Sequence, residues 1–281
     1  MHHYWLTDAD RAAFERDGFF FVRGLFDPAE ARLLAGAMEI DPTILGNINE
    51  VKDNGGARTR IALWNHPGDS VYGLAARSRR MVGTMEGLLG GEVYHYHSKL
   101  TAKEPFEGGA WEWHQDYGYW YHNGCLFPLM ASCMIALDRA DRGNGCLQVL
   151  RGSQAMGRIE HGHLDGKQVG ADPARVEMAM QALELVYCEM DPGDGLFFHC
   201  NLLHRSDQNR SARRRWTLLC CYNAARNNPT IRHHHPFYTK LDTVEDTALL
   251  AAGMKLAKGD EWFQTTIETT PDAPHRRAAA R

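Results

Sequence analysis

The chain has 281 residues, 44% of them hydrophobic and 23% charged, with a formal net charge of -4. That is apolar material enough for a sizeable core, at a length that suits one large domain over residues 1–281. The weakly acidic balance argues against nucleic acid or an anionic membrane surface as a partner, and no apolar run of about 18 residues is there to form a spanning helix.

Residues 1–7 lack a basic stretch followed by an apolar one, so no secretory signal is expected. Residues 7–17 (TDADRAAFERD) read as a capped helix ended by Gly18, and 19–26 (FFFVRGLF) as a β-prone run. A second helix is expected over 28–39, with Pro28 in its first turn, and a third over 71–90, stopped by Gly90-Gly91. Residues 92–101 (EVYHYHSKLT) then alternate bulky and polar side chains, as a half-buried strand does. Further short strands are expected at 111–117, 131–138, 146–150, 184–189, 195–200 and 215–223, separated by turn clusters such as DRGNG (141–145) and DPGDG (191–195). Residues 154–183 read as an insertion, helical where the sequence runs DPARVEMAMQALE, and 243–257 as a last helix before a frayed tail.

The picture is mainly β with helical trim: a helical support over 1–91, a sandwich or barrel core over 92–240, and a C-terminal helix and tail over 241–281. The seven cysteines include no CxxC pair. Free thiols in a reducing cytoplasm explain them better than a disulfide framework or a Cys-type zinc site.

Chemistry concentrates in three places. In Trp113-His114-Gln115-Asp116, strand geometry would turn His114 and Asp116 to one face. With 15 histidines in the chain, such a pair carries little alone. The run DPGDGLFFHCNLLH (191–204) could bring His204 to the same cavity. Two imidazoles and a carboxylate on one face of a metal leave positions open, which suits iron(II) and oxygen, whereas a structural zinc site would want a fourth protein ligand. Arg215 opens a β-prone run, RWTLLCCYN. Either it faces water, or it is buried against an anion such as a carboxylate, with Ser206 adding a hydroxyl; spacing leaves both open.

Taken together and in this order, His114-x-Asp116, His204-x-Ser206 and Arg215 resemble the phytanoyl-CoA dioxygenase family of iron(II)- and 2-oxoglutarate-dependent oxygenases. The likeness runs from about residue 8 to about residue 240. It is carried by HSKLTAKEPFEGGAWEWHQDYGYW (97–120), DRGNGCLQVLRGSQ (141–154) and DPGDGLFFHCNLLHRSDQNRSARRR (191–215), and is similar in particular to the ectoine hydroxylase branch. The resemblance implies a double-stranded β-helix (jelly roll, cupin-like) with supporting N-terminal helices. It implies Fe(II) on His114, Asp116 and His204, and 2-oxoglutarate with its distal carboxylate on Arg215 and Ser206. Polar contacts from Thr101 and Ser132 are implied too, Ser132 across a one-residue gap. Molecular oxygen and a small-molecule substrate are the partners it implies, and Asp116, standing where related halogenases have Gly or Ala, favours hydroxylation, or a desaturation or cleavage begun by the same hydrogen abstraction. Gln154 and Arg151 depart from the family's usual His and Pro, and residues 117–127 depart from the ectoine hydroxylase pattern, so the likeness does not imply ectoine as substrate.

For the substrate, Tyr117, Trp120, His97 and Gln148 are the candidates, as aromatic or polar groups expected beside the metal motif or on neighbouring strands. Rings there could cradle an amine or an apolar skeleton, or be core. His233-His234-His235 reads as a loop near the mouth, because consecutive strand residues cannot share one ion. Two rival readings use the same residues: a zinc-dependent hydrolase, which needs neither Arg215 nor Ser206, and a non-catalytic jelly-roll binding module, which needs no intact metal set.

Overall fold

The computed structural model describes residues 4–164 and 168–264. Helix α1 (Asp8–Asp17) starts where the Thr7 side chain accepts from the Asp10 backbone and Asp10 reciprocates, and ends at Gly18, whose φ of 84° favours glycine. Strand β1 (Phe19–Val22) follows, then α2 (Pro28–Ile40) capped by Asp27, α3 (Pro42–Gly46), the hairpin β2 (Asn49–Lys52) and β3 (Arg58–Trp64), α4 (Val71–Ala76) and α5 (Arg79–Leu89). The central part contains β4 (Val93–Lys103), β5 (Trp111–His114), α6 (Asp116–Trp120), β6 (Met130–Ala136), β7 (Leu147–Leu150), β8 (His161–His163), β9 (Val169–Ala171) and α7 (Pro173–Ala182). Strands β10 (Leu185–Cys188), β11 (Gly195–His199), β12 (His204–Ser206) and β13 (Arg215–Ala224) and helix α8 (Ala248–Ala252) complete it.

Two antiparallel sheets face each other. The large one has the order β1-β11-β6-β13-β4-β3-β2, the small one β10-β7-β12-β5. The outer face of the large sheet is covered by helices: Leu218, Cys220 and Tyr222 of β13 pack in one cluster with Leu34 of α2 and Met81 and Met85 of α5. The alternate residues Leu219 and Cys221 face the small sheet, among Leu147, Val149, Leu196 and Phe198. Period-two alternation with both faces buried is why this strand reads as one continuous apolar run. The longest pairing joins β13 to β4, from Arg215 opposite Lys103 to Ala224 opposite Val93, with a bulge at Tyr96 that shifts register between Cys221 and Tyr222.

The architecture is the mainly β jelly roll expected. Several boundaries differ. Residues 1–91 are not only helical: β1, β2 and β3 belong to the large sheet, the last two joined by a turn through Gly56 at φ 86°. The 71–90 helix is two helices, because Ser78 serves as cap of the second and its hydroxyl donates to the Ala75 carbonyl. Strand 111–117 stops at His114, where α6 begins. The 154–183 insertion carries the hairpin β8–β9 as well as α7. The last helix covers only Ala248–Ala252, since Val244 is extended, paired through its backbone with Arg77 and Arg79. The expected tail lies outside the described residues. Arg151 and Gln154, the two departures at the 151–154 turn, tie it to α1 through Asp17 and the carbonyls of Glu15 and Arg16.

The helical layer is fastened by a buried ion cluster, Arg80 with Glu30 and with Asp246, whose Oδ1 stands 3.4 Å from Arg80 Nε. Arg80, 3% exposed as a side chain, donates from Nη1 to Glu30 Oε2 at 2.9 Å and to the Leu25 carbonyl at 2.7 Å. Removing the Glu30 carboxylate leaves the buried guanidinium only Asp246 as counter-charge, so Glu30→Ala is expected to cost about 3 kcal/mol, read from the midpoint of urea unfolding. A loss below about 1 kcal/mol would count against a fastening role.

Candidate active site

His114 is the last residue of β5, and His204 the first of β12, directly opposite it in the small sheet. Their ring centres are 4.0 Å apart. Asp116 lies two residues beyond the end of the strand, at the first position of α6. Gln115 makes the turn between them: its side chain donates to the carbonyls of Gly157 and Asn201 and accepts from the Ile159 backbone, while its own N–H donates to His161 Nε2. The 154–183 insertion thus anchors the residue between the two ligand candidates, and both flanking side chains turn the other way. His161 leaves no room for a side chain at position 118, where a Cβ would fall 2.2 Å from its ring, so α6 needs Gly118.

The three side chains are buried, and their ligand atoms lie within 4.8 Å of one another. His114 Nδ1 faces the Glu112 carbonyl at 2.8 Å and His204 Nδ1 the Leu202 carbonyl at 2.9 Å. Each Nδ1 therefore carries the proton, and each Nε2 presents a lone pair inward. His204 Nε2 stands 3.9 Å from Asp116 Oδ1, while the other carboxylate oxygen accepts from the Ser132 hydroxyl at 3.2 Å. Burial, with the neighbouring imidazole, holds the His114 pKa well below its ordinary value; burial also lowers that of His204, against the pull of Asp116. Two neutral imidazoles and a carboxylate are a donor set for a divalent metal.

His114 and His204 share a cavity with Arg215, Ser206 and Thr101. Arg215 is 3% exposed. Nη1 donates to the carbonyl of Gly145 at 3.1 Å, yet Nε has no partner. Beside it Lys103, 1% exposed, donates from Nζ to Ser206 Oγ at 2.8 Å and to the Asp207 carbonyl. Burial brings Arg215 down to about 10, and burial plus Arg215 brings Lys103 well below its usual value. Lys99 and Arg205 also line this cavity, which has no carboxylate among its lining residues. Two buried cations with an unfilled donor at one end, and a metal-competent triad at the other, fit an anion that can also chelate a metal.

Thr101 lines the cavity with its hydroxyl 2.6 Å from that of Thr217. Ser132 does not line it; its hydroxyl is spent on Asp116 and Cys221. The four substrate candidates are also absent from its walls, for identifiable reasons. The run after Asp116 is helical rather than extended, so Tyr117 and Trp120 turn into the core between the sheets, with Tyr117 donating to the Cys125 carbonyl. His97 is buried against Trp120 and His235, at 5.6 and 5.1 Å. Gln148 bridges Arg205 and Asp207 on the small sheet. Lys103 and Lys99 escaped sequence reasoning. The available signal was parity: His97, Lys99, Thr101 and Lys103 are alternate residues of one strand.

Comparison with known proteins supplies the context. The family model for phytanoyl-CoA dioxygenase (PhyH) matches residues 14–217. L-proline trans-4-hydroxylase of Streptomyces griseoviridis is 32% identical over 208 residues, covering 69% of this chain and 78% of that protein. Ectoine dioxygenase of Stutzerimonas stutzeri is 27% identical over 230 residues, 76% of each. The structure of EctD from S. alaskensis with 2-oxoglutarate and 5-hydroxyectoine superposes with a TM-score of 0.72 at 23% identity, over 87% of this chain and 91% of that one, which establishes a shared fold. The chain therefore belongs to the phytanoyl-CoA dioxygenase family and is an iron- and 2-oxoglutarate-dependent dioxygenase.

Proposed function

We propose that the chain hydroxylates an unactivated C–H bond of a small polar or zwitterionic metabolite. Fe(II) is held by His114, Asp116 and His204, and the distal carboxylate of 2-oxoglutarate by Arg215 and Ser206, with Lys103 beside them. The observation that carries this reading is that one cavity holds both metal-ligand histidines and a buried arginine whose Nε has no partner. A zinc hydrolase on the same three ligands would give that arginine nothing to do, and a binding module would not need an intact triad. The substrate class rests on the relatives named for L-proline and ectoine, both small zwitterions.

Bound together, Fe(II) and 2-oxoglutarate supply the activation of molecular oxygen, with succinate and carbon dioxide as by-products. The protein's part is orientation and exclusion of water. Lys103 donates to the Ser206 oxygen, which leaves the Ser206 proton to donate to an anion. Thr101, held by the Thr217 hydroxyl behind it, adds a hydroxyl along the wall, and Met134, Leu147, Phe198 and Leu219 keep it apolar. Ser132 we assign to orienting Asp116 rather than to the cosubstrate. Seven buried, unpaired cysteines support a reducing cytoplasmic setting.

Three measurements test this reading. Arg215→Ala is expected to weaken 2-oxoglutarate at least roughly 100-fold by calorimetry, the worth of about one charged hydrogen bond, with metal affinity unchanged; retained metal-dependent turnover without 2-oxoglutarate would point to the hydrolase instead. His114→Ala should remove both succinate release and the visible charge-transfer band that anaerobic Fe(II) plus 2-oxoglutarate gives, and persistence of either sinks the assigned triad. Ser132→Ala should lower Fe(II) affinity about tenfold and leave 2-oxoglutarate affinity unaltered, the reverse pattern restoring Ser132 to the cosubstrate.

A further inference from the structure

A second group of imidazoles stands apart from the catalytic cavity. His233, His234 and His235 come after β13 in an irregular segment, and their ligand nitrogens lie within 4.8 Å of one another. On a strand three consecutive side chains could not converge. This segment is irregular, in keeping with the loop expected from sequence, so the strand argument against a shared ion does not apply to it. The ring centres are separated by 3.8, 4.3 and 5.7 Å. Imidazoles bound to one tetrahedral ion hold their ring centres roughly 5 Å apart.

Asn65, just beyond β3, organises the group. Its Oδ1 lies 3.2 Å from His235 Nδ1, and its Nδ2 donates to the His234 carbonyl at 2.8 Å. The same Oδ1 accepts from Gln264 Nε2 at 3.0 Å, so the amide orientation is fixed by two donors. His235 therefore carries its proton on Nδ1 and presents Nε2 as a ligand, the arrangement an outer partner imposes on metal-binding histidines. An independent observation comes from β4. His97 is 3% exposed, neither of its ring nitrogens has a hydrogen-bond partner, and its ring lies 5.1 Å from that of His235. A buried imidazole with both nitrogens unpaired is costly, and a ligand beside it accounts for the cost.

We infer that His233, His234 and His235 form a second transition-metal site, with the buried ring of His97 packed beside it against His235. Donors that are all imidazole select zinc, copper or nickel over magnesium or calcium, which want oxygen. A bound ion would tie the segment after β13 to β4 and, through Asn65, to the end of β3.

Equilibrium dialysis against micromolar zinc tests the site independently of turnover. His233→Ala/His234→Ala is a suitable variant because neither position is fully buried, so the core stays closed. In a His114→Ala background, which disables the catalytic ligands, the chain is expected to hold one equivalent of zinc, and the added double substitution to remove it. With His114 intact, the double substitution should again lower bound zinc by one equivalent, a comparison that decides the matter should His114→Ala fold poorly by circular dichroism. Zinc stoichiometry that ignores positions 233 and 234, or a folded His114→Ala chain that binds none, overturns the proposal. Failure here leaves the catalytic assignment untouched, since that rests on other residues and other measurements.

Discussion

The pairing of β13 with β4 decides where most of the chemistry in this molecule sits. It puts Arg215 opposite Lys103 at one end of the large sheet. Because both faces of the sheet are covered, every second side chain is committed to the interior. Lys99, Thr101 and Lys103 on one strand and Arg215 and Leu219 on the other all reach the same cavity by parity alone. A one-residue slip of β4 against β13 would send Lys99, Thr101 and Lys103 into the helical layer and bring Leu100 and Ala102 into the cavity. Neither face could tolerate the exchange, so register and chemistry are specified together.

The interior that results is electrostatically lopsided. Cations cluster at one end of the cavity, and the carboxylate of Asp116 belongs to the metal set at the other. Such a field favours anions before any contact forms, and buried donors that need no rearrangement hold them afterwards. Desolvation makes these cations costly without a counter-charge. Under the proposed function, the anion that offsets this cost is 2-oxoglutarate.

How much of this could be read from the residues alone varied with the range of the interaction that decides it. His114, Asp116, His204, Ser206 and Arg215 stood out because motif order across roughly 100 residues of chain is a long-range signal. Thr7, Gly18 and Pro28 marked helix ends because caps and first-turn prolines act locally. The switch from strand to helix at Asp116 was illegible, since it depends on Gln115 reaching residues 44 and 86 positions away. That switch moved Tyr117 and Trp120 from the expected cavity wall into the core. Strands β2 and β3 were overlooked although Asn54-Gly55-Gly56 marks a turn between them. Their edge position leaves the outer one, β2, only half buried, which weakens its apolar pattern.

The bulge at Tyr96 has a consequence for how the enzyme could diversify. On one side of it the odd-numbered residues of β4 face the cavity; on the other, Tyr94 and Tyr96 join the inner core. The strand is in effect two short strands with independent phase. Changes at the 93–96 end, next to His235 and the segment after β13, need not disturb the phase of the 99–103 end that carries Lys99 and Lys103. One continuous piece of backbone can therefore keep a fixed half and an adaptable half, so that selection for a new substrate would meet little resistance from the chemistry it must preserve.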